Sequence, residues 1–184
     1  DEAARLESML GPIRALSIRQ WIASWPLVAV APKAGLALLH AAPAAAIDSP
    51  EDLTKLDPSD VTSERHMMVL NGLLWARSAS RKQATRFLRA LGVDLRVAVY
   101  GHDVVRAGYE VEGDLMLCLS SSFGCYHGDK LYLDWDLSQP AEDAANVAER
   151  GLVPLYPDEP TVYRQQFSFA DQDTRDTAPP PACR

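Results

Sequence analysis

The sequence predicts an α/β (α+β) protein, with apolar strands in the core and amphipathic helices beside them. Residues 97–99 form a β-branched apolar run, and residues 36–39 form a second apolar run, as is typical of buried strands. Residues 81–91 instead place Phe87, Leu88 and Leu91 at helical spacing, with Gly92 as the cap.

The first half of the chain is predicted to be mainly helical around one hairpin. Helices are expected at 2–10 and 13–25, separated by Gly11-Pro12 and stopped by Pro26. Short strands at 27–31 and 36–39 should pair about a tight turn. Helix starts at Ser49 and Asp57 follow, and the second helix is expected to end at Asn71-Gly72.

The second half is predicted to be mainly β. Strands are expected at 95–101, 107–111, 115–120 and 130–137, the last of them half-exposed, with a short surface helix at 140–150. Residues 1–150 are assigned to the folded domain, and 151–184 to an irregular, acidic and proline-rich tail. Four tryptophans stand in apolar periodic contexts and are predicted to lie in the core: Trp21, Trp25, Trp75 and Trp135.

Composition limits the function classes. The 184 residues carry a net charge of −7, which argues against binding a nucleic acid duplex. No run of 18 apolar residues exists, so neither a transmembrane helix nor a membrane partner is expected. Three irregularly spaced cysteines suggest no disulfide framework, and so a cytoplasmic location. The first residue is not methionine, so the chain is expected to be a fragment or a processed piece.

Two histidines are the candidate site residues. His40 and His102 each end an apolar strand and are followed by small residues. Two histidines placed in this way at strand ends indicate part of a metal or phosphate site. His66 lies in a charged helix and is interpreted as a structural residue, whereas His127 is left open. Cys125 near His127 is a poor nucleophile candidate because no third group orients the pair.

The order of several short motifs resembles the carboxy-terminal half of a calcineurin-like metallophosphoesterase. Within that superfamily the chain is most similar to the phosphoprotein-phosphatase branch. The resemblance covers residues 20–137 and rests on these segments taken in order: Trp25-Pro26-Leu27, Leu38-Leu39-His40, Leu73-Leu74-Trp75-Ala76-Arg77, Arg86-Phe87-Leu88, Tyr100-Gly101-His102 through Tyr109, and Leu117 to Ser122.

The resemblance implies a β-sandwich flanked by helices, with two divalent metal ions (manganese, iron or zinc) at the strand ends. His40 and His102 match two ligands of the same metal. Arg77 matches the arginine that holds the phosphate and would serve catalysis, and Tyr126 or Phe123 matches a substrate-facing aromatic residue. The implied function is hydrolysis of a phosphorylated substrate, either a phosphoprotein or a small phosphoester.

The chain departs from the family pattern in three places. Ala41-Ala42 stands where the family prefers two glycines, and Tyr100 where it often has arginine. The amino-terminal motifs, which supply the other metal ligands and a proton donor, are absent. This chain alone is therefore expected to be inactive, with the amino-terminal half of the same domain as its partner.

Two other readings stay open. The chain could be a degenerate, catalytically inactive member of the fold that works as a binding or scaffold module, an interpretation favoured by Ala41-Ala42. It could also be an unrelated α/β interaction domain in which both histidines are structural.

Overall fold

The computed structural model describes residues 2–56, 63–92, 94–120 and 129–157. These residues form helices and strands in the following order: α1 (Glu2–Leu10), α2 (Pro12–Ala23), β1 (Val28–Ala31), β2 (Leu36–Leu39), α3 (Glu51–Thr54), α4 (Glu64–Trp75), α5 (Arg81–Leu91), β3 (Val97–Tyr100), β4 (Tyr109–Glu112), β5 (Met116–Leu119), β6 (Leu131–Leu133), α6 (Ala144–Gly151) and β7 (Leu152–Pro154).

Five of the strands form one mixed sheet in the order β1-β2-β3-β5-β4. The three central strands, β2, β3 and β5, run parallel, whereas the edge strands β1 and β4 pair antiparallel with β2 and β5. Because a parallel pair needs a long crossover, the chain passes through α3, α4 and α5 between β2 and β3. The predicted α/β class is confirmed at this level.

Helices cover both faces of the sheet. On one face, Leu36, Val97 and Leu117 pack with Ala144 and Val147 of α6. On the other face, Ala37 and Ala98 pack with Leu88 of α5. Alternate residues of β3 thus point to opposite faces, and all four are buried, which explains why this strand is continuously apolar. In β2, Leu36 and Ala37 are buried in the same way, whereas Leu38 is exposed.

A second, two-stranded sheet is formed by the antiparallel pair β6 and β7. Leu133 of β6 and Leu152 of β7 pack against the same core cluster as α6, so the small sheet lies over that face of the large one. β7 consists of residues that the sequence placed in the tail, whereas residues 158–184 lie outside the described part. The strand expected at 130–137 is limited to Leu131–Leu133.

The predicted helix end at Asn71-Gly72 is wrong. Helix α4 continues through both residues to Trp75 and ends at Ala76, whose backbone is extended. Gly72 lies against Ala45, and a Cβ added at Gly72 would stand 2.8 Å from the Ala45 Cα. The glycine is therefore required by a close approach of two segments rather than by a helix end.

The prediction that four tryptophans lie in the core is wrong for three of them. Trp21, Trp25 and Trp75 are 61%, 54% and 67% exposed. Helix α2 buries only Ala15, because periodicity reveals an apolar face but does not provide an element to cover it. Trp135 is half-buried, packs against the core, and donates from its indole N–H to the Gln139 carbonyl at 2.9 Å.

None of the helices in the described ranges has both the length and the apolar character that crossing a bilayer requires.

Candidate metal centre

The carboxyl ends of β2 and β3 lie side by side, and each is followed within two residues by a histidine. The strands are parallel, with Leu39 opposite Tyr100, so His40 and His102 leave the sheet at the same edge. The N–H of Gly101 donates to the carbonyl of His40 at 3.0 Å, which extends the strand pairing one step beyond its last residues. Two residues 62 positions apart in the sequence are thereby held together.

The two imidazole rings are in contact. Their centroids are 4.7 Å apart, and the ring planes are inclined at 64°. The Nε2 atom of His102 is buried and has no hydrogen-bond partner among the residues that the structure describes. A buried polar atom without a partner is uncommon in a folded protein, and a metal ion is one species that would satisfy it.

The backbone of His102 is in a strained conformation. Its φ angle is +70°, and it is the sole non-glycine residue of the described ranges with a positive φ. A left-handed conformation costs about 1–2 kcal/mol for an ordinary side chain and is found most often at functional sites. The left-handed backbone of His102 thus coincides with the contact between its ring and that of His40.

The electrostatic surroundings keep His102 neutral. Burial lowers the pKa of its imidazole, and the nearby charges of His40 and Arg77 lower that pKa further, while Asp103 raises it. A neutral imidazole keeps one ring nitrogen free to bind a metal ion, so the lowered pKa of His102 favours ligation near neutral pH.

The end of α4 is tied to the segment that follows His40. The N–H of Ala42 donates to the carbonyl of Ala76 at 2.8 Å. This bond brings Trp75 against the histidine pair, where its ring lies 5.6 Å from the His102 ring at 82°. Trp75 was predicted to be a core residue, and its place beside His102 had no local signal in the sequence, because it depends on this long-range hydrogen bond.

Arg77 reaches the same region through Asp103. Its Nη1 atom lies 3.2 Å from Oδ1 of Asp103, and the two side chains are 63% and 41% exposed. The same Asp103 oxygen accepts a hydrogen bond from the backbone N–H of Val104 at 2.8 Å, which fixes the carboxylate. Arg77 is therefore oriented beside His102, while its guanidinium stays accessible to solvent.

Ala41 and Ala42, which directly follow His40, are fully buried. The Ala42 methyl group belongs to a packed cluster with Ala84 and Tyr100. The two alanines therefore contribute to the core beneath the site instead of leaving the open backbone that glycines would provide.

Of the candidate metal ligands, the structure brings His40 and His102 together. No group of three His, Cys, Asp or Glu residues within the described ranges is arranged to hold a metal ion. Tyr126, together with Phe123, Cys125 and His127, lies outside those ranges. The histidine pair fits one side of a metal site, and the ligand roles of His40 and His102 remain predictions.

Comparisons of the chain with protein-family models, with curated proteins and with solved structures found no match. The structure describes a mixed α/β protein in which two histidines lie in contact at the ends of neighbouring strands. The function proposed below is argued from this histidine pair.

Proposed function

We propose that this chain is the carboxy-terminal half of a dinuclear-metal phosphoester hydrolase of the calcineurin-like superfamily, similar to serine/threonine protein phosphatases. The observation that carries the proposal is the contact between the His40 and His102 rings, 4.7 Å apart at the ends of two parallel strands. The other metal ligands would come from an amino-terminal half of the same domain, and the proposed compartment is the cytoplasm.

The ring separation is compatible with a shared divalent cation. A histidine nitrogen binds zinc at about 2.0–2.1 Å, which places the ring centroid about 3.2 Å from the metal. Two such rings at a ligand–metal–ligand angle of about 90–110° would have centroids about 4.5–5.2 Å apart. The observed 4.7 Å falls inside this interval, and the unpartnered Nε2 of His102 is a suitable donor.

The residues of this chain have distinct roles in the proposal. The chemistry that two divalent cations supply is polarisation of the phosphoryl oxygens and a lower pKa for the attacking water. His40 and His102 would hold one cation, and the His102 ring already contacts the rings of His40 and Trp75. Arg77 would bind two phosphoryl oxygens, for which a planar guanidinium is well suited, and Tyr126 would contact the substrate.

Arg77 can exchange its partner at little cost. Its ion pair with Asp103 is partly exposed, and such pairs contribute about 0–1 kcal/mol. A dianionic phosphoryl group could therefore compete for the guanidinium, while Asp103 keeps its hydrogen bond from Val104. This arrangement positions Arg77 in the absence of substrate without holding it tightly.

Metal binding to the isolated 184-residue chain tests the proposal. Calorimetric titration with Mn²⁺ or Zn²⁺ should show about one ion per chain, bound weakly because the ligand set is incomplete. His40→Ala and His102→Gly should each abolish binding, and glycine at 102 tolerates the positive φ. His66→Ala is the matched control, since His66 stands nine residues before Trp75 on α4, roughly 13 Å along the helix.

The result also separates the proposal from a degenerate scaffold. The two buried alanines after His40 favour that second function, because they fill space that the family leaves open. If the wild-type chain binds no metal, or if all three histidine variants bind equally well, the hydrolase proposal is wrong. The isolated chain should not hydrolyse p-nitrophenyl phosphate, because the described residues offer two donors and no third.

A further inference from the structure

Helix α5 carries an unusual concentration of positive charge for an acidic protein. Its eleven residues include four cations and no acidic residue, whereas the chain as a whole has a net charge of −7. The four cations are Arg81, Lys82, Arg86 and Arg89. They all line one surface cleft, the α5 cleft.

The packing of α5 against the core determines on which side of the helix the cations lie. Ala84, Phe87 and Leu88 are buried against the core, so the opposite side of α5 must face outward. Lys82, Arg86 and Arg89 recur at positions i, i+4 and i+7 and therefore share that outer side. Lys82 and Arg89 are seven residues apart, which is roughly 10 Å along the helix axis.

The α5 cleft is open to solvent and large enough to hold a small molecule. Its volume is about 730 Å³, and Ile47 and Asp48 form its other wall. Ile47 is fully buried, so the accessible apolar surface of the cleft comes from other lining groups, such as Ala90 and the aliphatic parts of the lysine and arginine side chains. Ligand sites of this volume commonly combine an apolar lining with a few charged groups that orient the ligand.

Half of the positive charge in the cleft is already paired. Arg86 donates to Asp48 at 2.6 Å, and Arg81 donates to Asp114 at 2.7 Å. For Lys82 and Arg89, the described part of the chain contains no ion-pair partner. With Asp48 and Asp114 counted against the four cations, a net charge of +2 is left at the cleft, which attracts anions.

We propose that the α5 cleft binds a ligand that carries several linked phosphate groups, such as inorganic tripolyphosphate or the triphosphate of a nucleotide. A single phosphate would engage one or two of the cations, whereas a phosphate chain can contact cations spread along about two turns of helix. Duplex nucleic acid is disfavoured, because one helix face on an acidic protein provides too little basic surface.

This site is independent of the histidine pair. It is built from α5 and the segment at Ile47, and it needs no metal ion. Binding can therefore be measured in the presence of a chelator, where the proposed metal centre would be empty. If His40 and His102 bind no metal, the proposal for the α5 cleft still stands. If the cleft binds no phosphate chain, the metal-site proposal still stands.

The test is calorimetric titration of the full chain with sodium tripolyphosphate in a buffer containing EDTA. Tripolyphosphate should bind at least about tenfold more tightly than orthophosphate, because more charge-assisted hydrogen bonds form. The double variant Lys82→Gln/Arg89→Gln should weaken tripolyphosphate binding about fivefold or more. ATP and tripolyphosphate compared side by side show whether the phosphate chain alone or a nucleoside as well is recognised.

The control removes the same two residue types elsewhere. Lys33→Gln/Arg14→Gln changes the net charge equally, at two exposed positions outside the α5 cleft, and should leave the affinity unchanged. Circular dichroism of both double variants checks that α5 and the fold persist. Equal affinity for orthophosphate and tripolyphosphate, or an equal loss of binding in the two double variants, would overturn the proposal.

Discussion

Arg77 and Asp103 form an ion pair beside His102, with Nη1 and Oδ1 3.2 Å apart, and the two charges act on the His102 imidazole in opposite directions. The positive charge of Arg77 lowers the pKa of His102, whereas the negative charge of Asp103 raises it. Because burial also lowers this pKa, the imidazole is neutral near neutral pH despite the adjacent carboxylate.

Substitution of either partner should therefore move the pKa of His102 in a predictable direction. Arg77→Gln removes a cation and should raise the pKa, whereas Asp103→Asn removes an anion and should lower it. NMR titration of the imidazole C–H signals measures both shifts. Arg81→Gln, which removes an arginine whose partner is Asp114, should leave the His102 titration unchanged. Shifts of the same sign in the first two variants would contradict the arrangement of charges around His102.

The lowered pKa of His102 also predicts how stability depends on pH. The unfolded chain binds a proton at His102 near the ordinary value of 6.5, and the folded chain binds it only at lower pH. The unfolded state therefore holds more protons in that window, so folding stability decreases as the pH falls from neutrality through the lowered pKa.

His102→Asn tests this dependence, since asparagine does not titrate and tolerates a left-handed backbone. The free energy of unfolding, measured by urea denaturation in EDTA at several pH values, should fall less steeply below neutral pH in the variant. A constant difference between wild type and variant across this range would show that His102 has the same pKa in both states.

The predictable parts of the fold are those with local causes. Helix α5 was predicted with its full extent from its apolar spacing and Gly92, both of which are local signals. The structure adds a capping box between Ser80 and Gln83, which the sequence analysis missed although it is local too. The hairpin of β1 and β2 follows in the same way from a short turn between two apolar runs. Burial that depends on contacts with distant segments was predicted poorly. The apolar side of α2, for example, was expected in the core but is exposed.

The candidate site also combines features that have local sequence signals with features that do not. The two histidines were identified because each follows an apolar strand, and parallel pairing of β2 with β3 brings them together. The contact of Trp75 with His102 and the positive φ of His102 were not predicted. Both depend on chain segments that meet in three dimensions, such as the hydrogen bond from Ala42 to Ala76, and no local pattern records them.

The approach of Gly72 to Ala45 predicts an unfavourable Gly72→Ala substitution. Alanine favours a helix over glycine by about 1 kcal/mol, but its Cβ would stand 2.8 Å from the Ala45 Cα. Forcing apart two packed segments costs about 1–3 kcal/mol, so the variant should be less stable on balance. Asn71→Ala is exposed on the same helix and should be neutral or stabilising. Urea denaturation compares the two, and equal stability would show that α4 can shift away from Ala45 freely.

The buried hydroxyl of Tyr100 donates to the carboxylate of Glu112, and this bond links β3 to β4 across the intervening strand β5. Tyr100 is 2% exposed, and burial followed by the bond to Glu112 raises the pKa of its hydroxyl far above the ordinary value. The hydroxyl therefore stays protonated near neutral pH and keeps its hydrogen bond to Glu112.

Tyr100→Phe should consequently destabilise the protein by about 1.5–3 kcal/mol, the usual contribution of a hydrogen bond to a charged group. Tyr132→Phe, at a position that is 44% exposed, is the matched control and should change the free energy of unfolding by less than about 0.5 kcal/mol. Equal losses in the two variants would mean that the Tyr100–Glu112 bond makes no net contribution to holding the edge strand β4 in the sheet.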